Sequence, residues 1–545
     1  MNRFFFYGIY YFVPDTTKRS VRIIQNEKEE EEKMLLSTIV ENITDVNNKV
    51  NDFVWVQVGL ILLLGVGVVL TLITGFFQLS HIGHWMKKTI GGVFRKESHV
   101  KHEKGSVSQF QALCTALAAT IGTGNIAGVA AAICIGGPGA VFWMWVAAFF
   151  GMMTNFSENV LGIYYRRKNK NGEWSGGPMY YLKNGLGKMA GYEKIGSVLA
   201  VLFAVFAILA SFGIGNMGQI NKIAINMDSA FFKNVEPVYV FGEVTLVKLI
   251  IGVTLMVVGA VIILGGLKRI AAFAEKVVPF MAIVYVVGAL IIMFCHINVI
   301  GDMFVAIFKF AWGVKAVGGG VAGVAIKTII VQGCKRGVFS NEAGLGSSVM
   351  VHSNSNVKEP VKQGLWGIFE VFADTFVVCT MTAIVVLSSG AIDLKTGLVA
   401  EGTQDATLVA TAFGNVFGSA GEWFVAIAML LFAFTTVLGW SHYGSKAVEY
   451  LFGNIGARIY RVIFVLMIVS GALMSSSLAW DISDTFNGLM MLPNLIGVIS
   501  LSPVVVKITR NYIRRKLKGE AIEPMLSNDP EIQAQMAEAV ARGEE

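Results

Sequence analysis

Charge is what this chain has least of. Asp, Glu, Lys and Arg make up 15% of its 545 residues, while hydrophobic residues make up 54%. A soluble globular protein carries about a quarter charged residues. That deficit, with a mean hydropathy of +0.62, excludes a soluble domain and points to an all-α polytopic membrane protein. Cysteine is scarce as well. Cys114, Cys134, Cys295, Cys334 and Cys379 all lie in or beside apolar runs, with no Cys-x-x-Cys pair. They read as small buried hydrophobes and argue against a disulfide framework or a thiolate metal site. His81 and His84 are three apart in a basic loop without acidic or thiol companions, which suits a solvated or interfacial pair. No His, Cys or Ser arrangement suggests a nucleophile and base, so a membrane enzyme is disfavoured. The formal charge of +7 is no nucleic-acid signature, because the basic residues sit in short loops between apolar runs, where they set topology.

What is present is a series of apolar runs. They are expected at about 53–79, 107–135, 140–165, 195–225, 245–266, 270–296, 318–350, 362–388, 420–443, 459–476 and 480–506. That is about eleven transmembrane helices. Basic clusters at Lys87/Lys88, Arg166/Arg167, Lys268/Arg269, Lys358/Lys362 and Arg510/Arg514 then fall on one side. By the positive-inside rule that side is cytoplasmic, the N-terminus is outside and the C-terminus is cytoplasmic. Residues 1–52 read as an N-terminal extension, disordered or external. Within it Glu27–Glu32 is a solvated acidic run, and Met1–Val13 is apolar but too short to span. Residues 53–106 hold the first span and its cytoplasmic loop, and 509–545 form a cytoplasmic tail.

Two runs are interrupted. Thr120-Ile-Gly-Thr-Gly-Asn-Ile-Ala-Gly128 places three glycines and polar side chains at bilayer depth. Irregular backbone is tolerated there only where it is covered by protein or lines a wet cavity. Asn125-Ile-Ala-Gly128 is echoed by Asn341-Glu-Ala-Gly344, 216 residues later (341 − 125). Gly-interrupted spans in corresponding places of two halves mark the site of a secondary transporter. With the first span set aside, ten remain. They divide as a 5+5 inverted repeat, 107–300 and 301–508, with a discontinuous first and sixth core helix.

Several blocks resemble the alanine or glycine:cation symporter family. They are Ile121-Gly-Thr-Gly-Asn-Ile-Ala-Gly128, Gly136-Gly-Pro-Gly-Ala-Val-Phe-Trp-Met-Trp-Val-Ala-Ala-Phe-Phe-Gly151, Gly176-Gly-Pro-Met-Tyr-Tyr181, Arg336-Gly-Val-Phe-Ser-Asn-Glu-Ala-Gly-Leu-Gly346 and Leu438-Gly-Trp-Ser-His-Tyr-Gly444. The resemblance covers roughly residues 50 to 510. It implies a leucine-transporter-like fold and sodium-coupled uptake of alanine or glycine across a prokaryotic cytoplasmic membrane. The implied partners are sodium, a small neutral amino acid and the lipid bilayer, with the chain acting as a monomer and binding no nucleic acid.

A zwitterion needs two opposite partners. Backbone amides at Thr123, Gly124 and Asn125, at the start of a half-helix, suit the carboxylate. The alternative is a small-xxx-small packing face, since Gly124 and Gly128 fit that spacing. The second break, Phe339 to Gly344 with Ser340, can supply oxygens for the ammonium. Gln219 resembles a family substrate contact, but it also reads as an external amide facing water. Phe339 and Trp440 are expected to wall the pocket. By analogy with the fold, the sodium site comprises the hydroxyls of Thr435 and Thr436 with carbonyls near Ala118 and Ile121. The alternative is that those hydroxyls bond back one helical turn. Intramembrane carboxylates are functional by default. Glu342 and Asp374 are candidates for coupling or gating, and they keep a proton-coupled carrier or an exchanger open. Glu370 shares a face with Asp374, and Glu158 is expected in a structural ion pair.

Overall fold

The computed structural model describes residues 38, 41–93, 106–241, 244–313, 326–399, 405–474 and 477–542. Expectations about the acidic run and the apolar stretch at the N-terminus lie outside these residues. Among them, seven helices are long and apolar enough to cross a membrane, or nine if each of two bent pairs counts as one span.

The elements that matter for the site are these. Helix α1 (Glu41–Ile73) starts twelve residues before the expected position 53. The first interrupted run is α2 (Gln109–Thr120) and α3 (Gly124–Gly136), bent by 53°. Ser108 closes a capping box with Gln111 at the start of α2, which holds two otherwise unmet backbone donors. Helices α4 (Gly139–Tyr164), α5 (Glu193–Phe231), α6 (Leu246–Ile263) and α7 (Leu267–Cys295) follow. A short antiparallel hairpin, β1 (Arg167–Lys168) with β2 (Trp174–Ser175), lies between α4 and α5. Helix α8 (Ile326–Asn341) ends at the second interruption. Then come α9 (Pro360–Ser388) and α10 (Ser419–Leu473). The chain closes with α11 (Ser477–Ser500), α12 (Ser502–Lys516) and α13 (Pro530–Ala541).

Helix α10 is 55 residues long. At 1.5 Å per residue that is about 80 Å, far more than the ~30 Å of a bilayer core. Gly453, at φ 72° and ψ −171°, breaks it into two apolar arms, where the sequence suggested two spans. Between α9 and α10 the chain carries a further helix at Asp405–Phe417.

The pattern of burial is that of a protein dissolved in lipid. Val253, Val257 and Val261 form an exposed apolar stripe at i, i+4, i+8 on α6. Asn125, Asn155, Glu370 and Asp374 are fully buried. A polar group in hydrocarbon costs several kcal/mol unless paired, so the polar residues turn inward and pair with each other. The packing falls into two groups. Helix α4 packs mainly on α8 and α9, whereas α10 packs mainly on α5 and α6.

Candidate functional site

The first break opens at Ile121, whose ψ of 89° leaves the helical region. Asn125 folds back over it: its Oδ1 accepts from the Gly122 amide at 2.9 Å. The second break repeats the device, with Asn341 Oδ1 accepting from the Ala343 amide at 3.0 Å. Both asparagines send their NH2 groups to neighbouring residues of α9. Asn125 Nδ2 donates to Asp374 Oδ1 at 2.6 Å, and Asn341 Nδ2 to Thr375 Oγ1 at 3.0 Å. Here α9 widens to π-helical turns over Phe372–Cys379, a form common at functional sites.

Asp374 therefore ties the two breaks together. Its Oδ2 also accepts from Ser340 Oγ at 2.8 Å and from Thr375 Oγ1 at 2.9 Å. Ser340 and Asn125 thus serve the backbone breaks rather than the lining of the adjacent cavity. Cys379, expected as a bland hydrophobe, sits in this cluster 3.1 Å from Ser340 Oγ.

Beside the breaks lies a small cavity lined by Gly122, Gly124, Gln219, Phe339, Glu342, Thr436, Trp440 and others. Phe339 and Trp440 both line it. Gln219 is buried and not at a wet end: its Oε1 accepts from the Thr123 amide at 3.2 Å, while its Nε2 donates to the Ile214 carbonyl at 3.1 Å. Two of the amides expected to be open here are thus met from within: that of Thr123 by Gln219, and that of Asn125 by the Gly122 carbonyl at 3.3 Å. Gly122 is required by close approach, since a Cβ there would lie 2.4 Å from Thr436 Oγ1. At Gly215 a Cβ would lie 2.5 Å from Trp440. Gly124 packs on Phe339, but nothing beyond its own turn approaches Gly128, so the pair is not a helix-packing face.

Thr436 meets the first break. Thr436 Oγ1 lies 3.1 Å from the Ala118 carbonyl and 3.5 Å from that of Ile121. It also lies 3.1 Å from the Phe432 carbonyl one turn earlier. Thr435 is not brought into this group. Its hydroxyl is 2.9 Å from each of the Leu431 and Phe432 carbonyls and 3.7 Å from Met281 Sδ.

The carboxylates separate by role. Glu342 has φ 56°, a conformation rare outside glycine that often marks functional positions. It accepts from Trp440 Nε1 at 2.8 Å and Ser347 Oγ at 2.5 Å. It pairs with neither Lys335 nor Arg336; Lys335 meets Asp484 instead. Glu158 is not in the ion pair expected of it. It accepts from Asn494 Nδ2 at 2.5 Å, because buried amides on α11, not basic loop residues, reach its depth. Glu370 faces His352 Nε2 at 3.0 Å and Asn155 Nδ2 at 3.2 Å. Asn487 was missed. It lines the cavity, and its buried Oδ1 has no hydrogen-bond partner among the described residues. Its signal was an amide side chain, one of two with Asn494, within the last apolar span.

Comparison with known proteins places this geometry. Residues 40–526 match the profile of the sodium:alanine symporter family. The chain is 45% identical over 470 residues to the sodium/alanine symporter AgcS of Methanococcus maripaludis, covering 86% of this chain and 97% of that protein. It is 36% identical to the probable sodium/glutamine symporter GlnT of Bacillus subtilis, over 91% of this chain and 95% of that one. Among solved structures, it is similar to MhsT in complex with L-phenylalanine, with a TM-score of 0.50 and 13% identity, over 75% of this chain and 99% of that chain. That likeness is one of fold. The chain is a transporter and not an enzyme, and it belongs to the sodium:alanine symporter family.

Proposed function

We propose that the chain is a secondary active transporter that carries a small neutral amino acid, alanine or glycine, into the cell together with sodium. It works by alternating access in the cytoplasmic membrane of a prokaryote. The observation that carries this reading is the meeting of Thr436 Oγ1 with the Ala118 and Ile121 carbonyls at 3.1 and 3.5 Å, at the edge of the central cavity. Unwound backbone carbonyls of a broken helix are the usual ligands for a coupling cation in such folds. A sodium ion held there joins the first broken helix, α2, to α10. Thr435 stays outside the proposed cation site.

The substrate carboxylate is assigned to the amides of Thr123, Gly124 and Asn125, displacing Gln219 from Thr123. The ammonium is assigned to oxygens of the second break. The walls of Phe339 and Trp440 leave room only for a short side chain. Sodium and substrate both favour closure around the breaks, and that differential affinity is the coupling.

The proposed architecture is about eleven spans, the last ten forming a 5+5 inverted repeat over 107–300 and 301–508. The N-terminus is outside, the tail from 509 is cytoplasmic, and the unit is a monomer. The two-group packing and the matching asparagines at the two breaks support this division. A proton-coupled carrier is the competing reading. The observation favouring it is Asp374, a buried carboxylate that three side chains contact at 2.6–2.9 Å without a cation. Uptake of labelled alanine by reconstituted Thr436→Ala decides between them: unchanged sodium dependence removes Thr436 from the coupling site.

A further inference from the structure

A second cavity, larger than the central one and lined by more charged residues, opens on the face that carries the basic clusters. Its walls come from the start of α7, the second half of the first arm of α10, the start of the second arm, and the β1–β2 hairpin. It adjoins the central cavity along α10, where Trp440 lines one and Ser441 the other. Charges of both signs line it. Lys268, Arg458 and Arg461 supply positive charge, and Glu173 and Glu449 negative. Lys446 is engaged in the wall, 3.0 Å from Glu449 Oε2 and 2.9 Å from Ser175 Oγ. Glu449 in turn accepts from Asn169 Nδ2 at 3.0 Å and Ser175 Oγ at 2.9 Å. With the Lys446–Glu449 pair neutral overall, the remaining lining charges are three cations and one acid.

We infer that this cavity is a second binding site for the transported amino acid, reached from the cytoplasm. The carboxylate faces Lys268, Arg458 and Arg461, and the ammonium faces Glu173. A small zwitterion matches both sets of charge. A bare inorganic anion meets the cations but leaves Glu173 without a partner. No oxygen cluster like that at Thr436 lies among the residues named, so binding here does not depend on sodium. Filled at high internal amino-acid concentration, the site blocks the hairpin side of the bundle and slows further uptake. The inference rests on the proposed substrate and orientation.

The test is equilibrium binding of radiolabelled alanine to the solubilised full chain, in sodium and with choline in its place. The expected result is two components, one that needs sodium and one that does not. Lys268→Ala with Arg461→Ala removes the sodium-independent component and keeps the other, which also shows that the variant is folded. Thr436→Ala does the reverse. A sodium-independent component that survives the double substitution, or that phosphate displaces as well as alanine does, overturns the inference. So does binding that is wholly sodium-dependent. Absence of both components in the unsubstituted chain instead overturns the proposed substrate.

Discussion

Thr436 is the residue on which the coupling account turns. Its hydroxyl sits where two backbone carbonyls of the broken helix and a third from its own helix converge. Removing one such oxygen from a cation site costs about 1–3 kcal/mol, as for a hydrogen bond to a charged group. Thr436→Ala should therefore raise the sodium concentration for half-maximal uptake about tenfold or more, with a smaller effect from Thr435→Ala. A sodium titration of uptake checks both. Gly122→Ala tests the same spot from the other side. The added methyl would lie 2.4 Å from Thr436 Oγ1 and 3.2 Å from Gln219 Oε1, so sodium-driven uptake should be lost while the protein still elutes as a folded particle in size-exclusion chromatography. Asp374 holds Asn125, Ser340 and Thr375. Asp374→Asn leaves one acceptor oxygen for three donors and brings a second NH2 group against them. Uptake should fall at least tenfold, under sodium or proton gradients alike. This scale was only partly legible in the sequence. The residue types and the two breaks could be read from spacing. That Asp374 binds both breaks could not, because Asn125 and Asp374 are 249 positions apart and nothing local in either stretch points at the other.

At the scale of elements, the apolar runs mapped closely onto helices because lipid leaves the backbone few alternatives. The sequence reading failed where polar segments fold. The tail after 509 was expected only as a polar extension, yet it docks onto the basic face. Arg515 makes a two-pronged pair with Glu359 at 2.7 and 2.8 Å. Asn528 bonds Arg167 Nη2 at 2.8 Å, and Asp529 lies 3.4 Å from the Arg167 guanidinium. Leu526 and Met536 cover Trp174. These contacts are invisible to hydropathy, because each half is a short polar segment that becomes amphipathic only against the other. Truncation after Leu517 should expose Trp174 and lower the melting temperature by a few degrees, about the effect of 1–2 kcal/mol in a large domain. An unchanged melting curve would mean that the tail rests on the face without stabilising it. The start of α1 at Glu41 was missed for a similar reason: its first turns carry Glu41, Asp45 and Lys49, with Lys49 and Asp45 paired 2.8 Å apart, and hydropathy reads such turns as loop.

At the scale of the whole molecule, the fold joins two packing groups through a polar interior only a few side chains wide. A polar core of this kind is costly unless its members pair, and nearly every one named here does. The arrangement has parts that a coupled carrier needs: two breaks, a cavity beside them, and a hydroxyl of α10 against backbone carbonyls of the first broken helix. The central claim is that sodium, not a proton, drives uptake through this site. The most direct measurement is labelled alanine uptake into proteoliposomes under an inward sodium gradient without a proton gradient, and the reverse. The account predicts accumulation with sodium alone and none with protons alone. Accumulation driven by protons and indifferent to sodium would contradict it, and would move the coupling role from Thr436 to Asp374 or Glu342.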